Sequence, residues 1–209
     1  KKKESMAIYQ MFLQHIIVSM EQGHGKAAVV VPTGFLTAAT GIAFKIRKHI
    51  MEANGGESIL RGVVSMPSNI FANTGTNVSV LFLDQQGPQD GLITLIDASN
   101  LGTKVKLEGT KNQRTYLSQE EMNRIVWVMN HPHEEEDFSV LVSAEDIRKK
   151  KCSFSAGQYF KVKIEYVDLT PKEFQAKIKG YQETLDELFA EGQRLEQEIK
   201  AGLEELEYE

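Results

Sequence analysis

The chain has 209 residues, 41% hydrophobic, 25% charged and 8% aromatic, with 16 Gly and 5 Pro. That composition supplies a globular core and excludes wholesale disorder, a collagen-like repeat and a disulfide-stapled mini-protein. The net charge of −5 is uneven: residues 165–209 hold 13 acidic against 5 basic side chains, which leaves +3 on residues 1–164, so the tail should repel nucleic acid while the body tolerates a polyanion.

Lys1-Lys2-Lys3-Glu4 has no apolar core or small-residue cleavage site behind it, so it does not suggest secretion. It runs straight into a helical pattern, as a chain cut in mid-course would. Residues 6–22 place Met6, Ile8, Tyr9, Phe12, Leu13, Ile16, Ile17 and Met20 at helical spacing and predict a helix with a broad buried face. Gly23-His24-Gly25-Lys26 resembles a phosphate cradle in composition alone, because such a loop follows a strand and opens a helix. Here the order is inverted, and a helix-to-strand turn is expected.

Ala27-Ala28-Val29-Val30-Val31, closed by Pro32, predicts a parallel strand buried on both faces. It is the longest dense apolar stretch, far below the roughly 20 residues that cross a bilayer. A second helix is expected from about Leu36 to Ala53, with Phe44, Ile46 and Ile50 inward. Lys45, Arg47, Lys48 and His49 cluster in its later turns, where cations suit the helix dipole. A strand over residues 59–64 follows, then a polar loop and residues 78–83, a strand that returns antiparallel because the loop is too short for a crossover helix. Residues 92–96 give another strand. Lys104, Lys106, Lys111 and Arg114 then fall in an irregular polar stretch.

Ser118 and Glu121 form a capping box for a helix whose apolar side is Ile125, Trp127, Val128 and Met129. His131, His133 and the run Glu134-Glu135-Glu136-Asp137 fit no compact zinc spacing and lack a loop glycine to fold oxygens around a hard cation, so a solvated acidic loop is expected. Residues 138–142 read as a strand, and Ser143 with Asp146 starts another helix. Cys152 is the single cysteine and fits a reducing cytosol. The lysines before it either lower its thiol pKa or merely solvate a helix end.

Thr170, Pro171 and Glu173 predict a strong helix start. Ile178, Tyr181, Leu185, Leu188, Leu195 and Ile199 then recur at close to heptad spacing, with Gly192 on the seam and Gly202 near it. An acidic helix with one apolar stripe is not stable as a lone projection, so it calls for a partner helix.

One combination is more specific. Gly25-Lys26-Ala27-Ala28-Val29-Val30-Val31-Pro32-Thr33-Gly34-Phe35-Leu36, Ile46-Arg47-Lys48, Val63-Val64-Ser65-Met66-Pro67-Ser68-Asn69-Ile70-Phe71 and Thr74-Gly75-Thr76-Asn77 precede a hydrophobic strand. Together with Leu95-Ile96-Asp97-Ala98-Ser99 and Gly157-Gln158-Tyr159, they closely resemble the modification (M) subunit of type I restriction–modification systems, the N6-adenine DNA methyltransferase family. The resemblance covers most of residues 6–165 and points to the C-terminal portion of that subunit. It implies an α/β fold: a partial Rossmann-like methyltransferase sheet of parallel strands with an antiparallel edge strand, plus a C-terminal long-helix extension. The expected division is 1–100 for the second half of the methyltransferase domain, 101–168 for its mixed continuation and 169–209 for an assembly helix.

In that family S-adenosylmethionine sits on a Gly-rich loop, and an Asn-Pro-Pro-Phe motif holds the reacting amino group. This chain contains neither, and its five prolines are all isolated, so neither a donor site nor a catalytic motif is expected within it, and the stretch alone should be inactive. By resemblance Phe71 either stacks on the flipped adenine or plugs the core. Lys104, Lys106, Lys111 and Arg114 either touch DNA phosphates or line a solvated loop. The implied partners are DNA and the specificity subunit, whose helical spacers would meet the seam. A restriction subunit and a second modification subunit stay open, and a cytoplasmic, membrane-free location is expected. The other class of reading is a non-catalytic assembly module that presents the terminal helix.

Overall fold

The computed structural model describes residues 7–20, 24–53, 55–71, 76–106, 113–161 and 170–204. In chain order they form α1 (Ile8–Met20), β1 (Lys26–Pro32), a 3-10 turn (Thr33–Leu36), α2 (Gly41–Ile50), β2 (Leu60–Ser65), β3 (Val78–Asp84), β4 (Leu92–Asp97), β5 (Thr103–Lys106), β6 (Gln113–Tyr116), α3 (Gln119–Asn130), β7 (Ser139–Ser143), α4 (Ala144–Lys149) and α5 (Pro171–Glu204). The chain divides into two compact units, residues 1–161 and 162–209.

The main sheet of the first unit has the order β1-β3-β2-β4-β7. β2 and β4 are parallel, and the other three pairings are antiparallel. The antiparallel return after β2 is as expected, but β3 inserts between β2 and β1. β1, β2 and β4 therefore share one direction, and their C-terminal ends lie along one edge. The expectation for residues 27–31 is corrected in consequence. β1 pairs on one side with antiparallel β3, and Ala28 and Val30 on its outer face are exposed. Both outward residues are apolar, so the polar alternation that marks a half-exposed strand is missing from the sequence.

Two cores sandwich the sheet. Leu13, Ile17, Phe35, Ile46, Ile50, Val63, Leu81 and Ile147 pack on one face, and Val64, Ile96, Val128, Met129 and Phe138 on the other. Adjacent Val63 and Val64 thus serve opposite faces, as the period of two requires. Gly62 permits the close approach of β4 and α3: a Cβ there would lie 2.6 Å from the Thr94 carbonyl oxygen and 2.8 Å from Met129 Cε.

Three helices differ from expectation. α1 buries a narrow stripe of Gln10, Leu13, Ile17 and Met20, whereas Ile8, Met11, Phe12 and Val18 are exposed. α2 starts at Gly41, which adopts φ +74, because the preceding residues wind into the 3-10 turn instead of extending the helix backwards. On α3, Val128 and Met129 face the core, but Trp127 is exposed and stacks on His131 with ring centroids 3.8 Å apart. The capping box of Ser118 and Glu121 forms as expected.

Arg47 is the largest departure. It does not join a solvated basic end of α2 but is fully buried. Its Nε donates to the Cys152 carbonyl at 2.7 Å, Nη1 to the Phe35 carbonyl and Nη2 to the Ala38 carbonyl. The rings of Phe35 and Phe154 flank it, with centroids 5.6 and 5.8 Å from Cζ. Burial pulls its pKa down, yet guanidinium keeps its proton in proteins. One planar fork therefore ties α2 to the loop after β1 and to the segment after α4. Cys152 is correspondingly buried, and burial raises its thiol pKa, which corrects the option of a lysine-activated thiolate.

The second unit is described by α5, a 34-residue helix of roughly 50 Å at 1.5 Å per residue. The Thr170 hydroxyl donates to Glu173 Oε2 at 2.7 Å, and the same carboxylate oxygen accepts the Thr170 N–H at 2.8 Å. Ile178, Tyr181, Leu185, Leu188, Leu195 and Ile199 are all at least 40% exposed within this unit. Acid–base pairs such as Lys179–Glu183 and Arg194–Glu198 line its flanks. Among the described residues, no helix is long and apolar enough to cross a membrane.

Arg47→Leu should lower folding stability by about 3–5 kcal/mol, because it strands three buried carbonyls. Arg47→Lys should recover only part of this loss, since an ammonium lacks the planar fork. Urea denaturation checks both: the midpoint should fall with an unchanged slope.

Candidate nucleic-acid interface

The shared C-terminal edge of β1, β2 and β4 is stitched by backbone. Thr33 N–H donates to the Asn77 carbonyl at 2.9 Å, Met66 N–H to Val78 at 3.0 Å, and Ala98 N–H to Ser65 at 2.9 Å. Beneath it the hydroxyls of Thr33 and the buried Ser79 lie 3.0 Å apart. From this edge the chain leaves β2 through Met66 and the buried Pro67 to Asn69, whose φ of +56 turns the backbone sharply. Phe71 follows and is 47% exposed, in neither core cluster. Open α/β sheets use this edge for ligands.

Lys104, Lys106 and Arg114 lie on a two-stranded sheet of β5 and β6. It is fastened to the Phe71 loop by Thr115, which is 2% exposed. The Thr115 N–H donates to the Asn69 carbonyl at 3.0 Å and its hydroxyl to the Ser68 carbonyl at 2.6 Å. Glu121 fastens the other end. Its carboxylate accepts the Gly102 N–H and the Ser118 N–H, both at 2.7 Å, and these bonds lower its pKa. Gly102 needs φ +85 here, and a Cβ would strike Thr115 Cγ2 at 2.6 Å.

The fold therefore brings Phe71, Lys104, Lys106 and Arg114 to one end of the first unit, but it separates the cations. Lys104 stands opposite Thr115 and Lys106 opposite Gln113, whereas Arg114 stands opposite Val105. Directly opposed side chains share a face, so the two lysines lie on one face of the ribbon and Arg114 on the other. Both lysines are exposed. Arg114 Cζ sits 5.0 Å from the Tyr116 ring centre, and its Nε is enclosed without a hydrogen-bond partner among the described residues. Lys111 lies outside the described residues. Sequence reasoning missed Thr115 and the second bond of Glu121, because both join segments far apart in the chain.

The candidate metal residues are engaged otherwise. His133 Nε2 meets Glu135 Oε1 at 2.9 Å, and Arg124 Nε donates to the other Glu135 oxygen at 2.9 Å. Arg124 also lies 3.8 Å from the Phe138 ring centre. The His131 carbonyl and Glu135 hold the His133 pKa up. Burial works to raise Glu135, but Arg124 and His133 outweigh it and its pKa falls. Among the described residues no group of three or more His, Cys, Asp or Glu side chains could hold a metal ion.

A sequence profile described as N-6 DNA methylase matches residues 2–167. The chain is similar to the type I restriction enzyme MjaIX methylase subunit of Methanocaldococcus jannaschii, 29% identical, over 94% of this chain and 34% of that protein. It is also similar to the type I restriction enzyme HindI methylase subunit of Haemophilus influenzae, 26% identical, over 95% of this chain and 43% of that protein. Its fold resembles the type I restriction–modification system methyltransferase subunit of Streptococcus thermophilus, with a TM-score of 0.62 at 24% identity, over 75% of this chain and 31% of that one. The chain thus spans 31–43% of the length of these proteins.

Thr115→Val should cost about 1–2 kcal/mol and speed amide exchange at Asn69 and Phe71, read by hydrogen–deuterium exchange. The stabilisation from raised His133 is complete below its unfolded pKa of about 6.5 and is lost as pH rises through its folded value. That from lowered Glu135 is present above about pH 4.3 and is lost as pH falls through its folded value. His133→Gln should therefore destabilise the protein at pH 5.5 and approach neutrality at pH 8.5, by urea unfolding at both values.

Proposed function

We propose a function on a premise that the profile match establishes: the chain belongs to the N-6 DNA methylase family. We infer that it is a stretch of the adenine-specific DNA methyltransferase (modification) subunit of a type I restriction–modification system. The complete subunit transfers a methyl group from S-adenosylmethionine to N6 of adenine in DNA. The carrying observation is the half-exposed Phe71 on the loop after β2, braced by Thr115 against a ribbon bearing Lys104 and Lys106.

The chemistry calls for such a ring. The exocyclic nitrogen is unreachable inside a duplex, so the base must be extruded and its lost stacking replaced. An exposed phenyl on an anchored loop offers an apolar face for the extruded adenine. In this reading Lys104, Lys106, Lys111 and Arg114 meet backbone phosphates, which position the duplex without reading sequence. Residues 1–100 and 101–168 belong to the methyltransferase domain. Residues 169–209 form the assembly helix whose seam (Ile178, Tyr181, Leu185, Leu188, Leu195 and Ile199) docks on the specificity subunit. The assembly with the specificity subunit is cytoplasmic.

The methyl donor does not fit the loop after β1. The strand-to-helix loop after β1 turns its Phe35 and Ala38 carbonyls onto Arg47 and buries Phe35 and Leu36 in the core. No nucleoside is accommodated there. The donor and the groups that polarise the amine are supplied by other parts of the subunit, and the catalytic residues with them.

A second reading has one observation in its favour: the exposed apolar seam of α5, the feature of an assembly module with an inert body. In a full-length subunit reconstituted with its specificity partner, Phe71→Ala should lower adenine methylation about 100-fold while circular dichroism and partner binding stay unchanged. Full methylation by that variant, with assembly lost on deleting residues 170–209, would select the assembly module instead. Calorimetric titration of S-adenosylmethionine into this 209-residue chain should give no heat of binding.

A further inference from the structure

A cavity of about 300 Å³ in the first unit is lined by Thr37, Lys149, Lys150, Lys151, Ser153 and Gln158, with no carboxylate among its lining residues. Thr37 lies on the loop that leaves β1 at the same strand edge from which the Phe71 loop emerges. Lys149 is held by Glu145 at 2.9 Å and Asp146 at 3.4 Å, outside the lining. Lys150 Nζ donates to the Gln158 carbonyl and lies 4.5 Å from the Tyr159 ring centre. Lys151 is exposed and has no ion pair among the described residues. Behind the wall sits Arg47, a buried cation bound to the carbonyl of Cys152, the neighbour of Ser153.

Ser153 is the telling residue. It is 4% exposed. Its carbonyl accepts the Tyr159 hydroxyl at 2.7 Å, and its N–H donates to the Lys150 carbonyl at 3.1 Å. Its hydroxyl, however, is enclosed and has no hydrogen-bond partner among the described residues. A buried unpaired hydroxyl is costly and uncommon in a folded protein. Ser153 itself is a lining residue of the cavity, whose charged groups are all cations.

We propose that this cavity is a phosphate-oxyanion site. Phosphate oxygens accept from the Ser153 hydroxyl and from Nζ of Lys150 and Lys151, while Arg47 adds positive potential from behind. Charge-assisted bonds of this type are the strong ones. The oxyanion comes either from a DNA backbone phosphodiester, a source that rests on the methylase reading above, or from free phosphate, which does not.

Titrating inorganic phosphate into the ¹⁵N-labelled chain should move the amide resonances of Thr37 and of residues 150–153 and raise the melting temperature. Ser153→Ala separates a site from a scaffold. Without phosphate it should melt higher than the wild type, because an unpaired buried hydroxyl is gone. It should nevertheless bind phosphate about tenfold more weakly, the loss of one hydrogen bond to a charged partner. Lys150→Gln combined with Lys151→Gln should abolish the response. With duplex DNA, that double variant should flatten the slope of log K against log salt by about 2 if a backbone phosphate is the source. An unchanged slope in the double variant, with the wild-type chain responding to phosphate and the double variant not, assigns the site to free phosphate. A wild-type chain that binds phosphate but no duplex removes support from the methylase reading and leaves the site standing. The proposal is overturned if phosphate moves none of these resonances, or if Ser153→Ala leaves its affinity unchanged.

Discussion

The first unit depends on one buried guanidinium. Desolvating a charge is costly, and Arg47 meets that cost with three backbone carbonyls and two ring faces instead of a carboxylate. The choice has structural consequences. A carboxylate would bind one point, whereas the three carbonyls belong to the loop after β1 and to the segment after α4, about a hundred residues apart in the chain. Satisfying the fork requires both segments to reach α2 together. The same cation leaves a positive field beside Cys152 and Ser153, so the interaction that organises the core also colours the cavity next to it.

The second constraint is the direction of the strands. Inserting β3 between β1 and β2 lets three strands finish at one edge, where backbone hydrogen bonds join the residues that follow them to their neighbours. Onto this frame Thr115 and Glu121 bolt the β5–β6 ribbon. A two-stranded ribbon is marginal by itself. It acquires a defined position through these two polar anchors, and through them the Phe71 loop becomes part of a supported surface. α5 follows other rules, with an apolar seam along one stripe and paired charges beside it, as suits a helix made for another helix.

Much of this was legible in the sequence because it is local. Capping boxes at Ser118 and Thr170, the antiparallel return after β2, the heptad spacing from Ile178 and the family-like segments are written in neighbouring residues. Composition and motifs were enough to place the chain among the DNA methylases and to identify its α/β architecture and long helix. Periodicity alone could not tell that Ala28 and Val30 face outward, since apolar residues occupy both faces of β1. Nor could it tell that Trp127 lies outside the core while Met129 closes on Gly62.

What only the tertiary structure decided was which polar groups find each other. Arg47 reads in the sequence as one more cation at a helix end, and its burial follows from carbonyls supplied by residues 35, 38 and 152. Lys104 and Arg114 read as one basic cluster until the ribbon's register puts them on opposite faces. Cys152 reads as a thiol among lysines until burial raises its pKa. Local propensity and spacing act within a few residues. The partners of a buried charge, the face of a side chain and the solvation of a thiol are set by contacts across the whole chain.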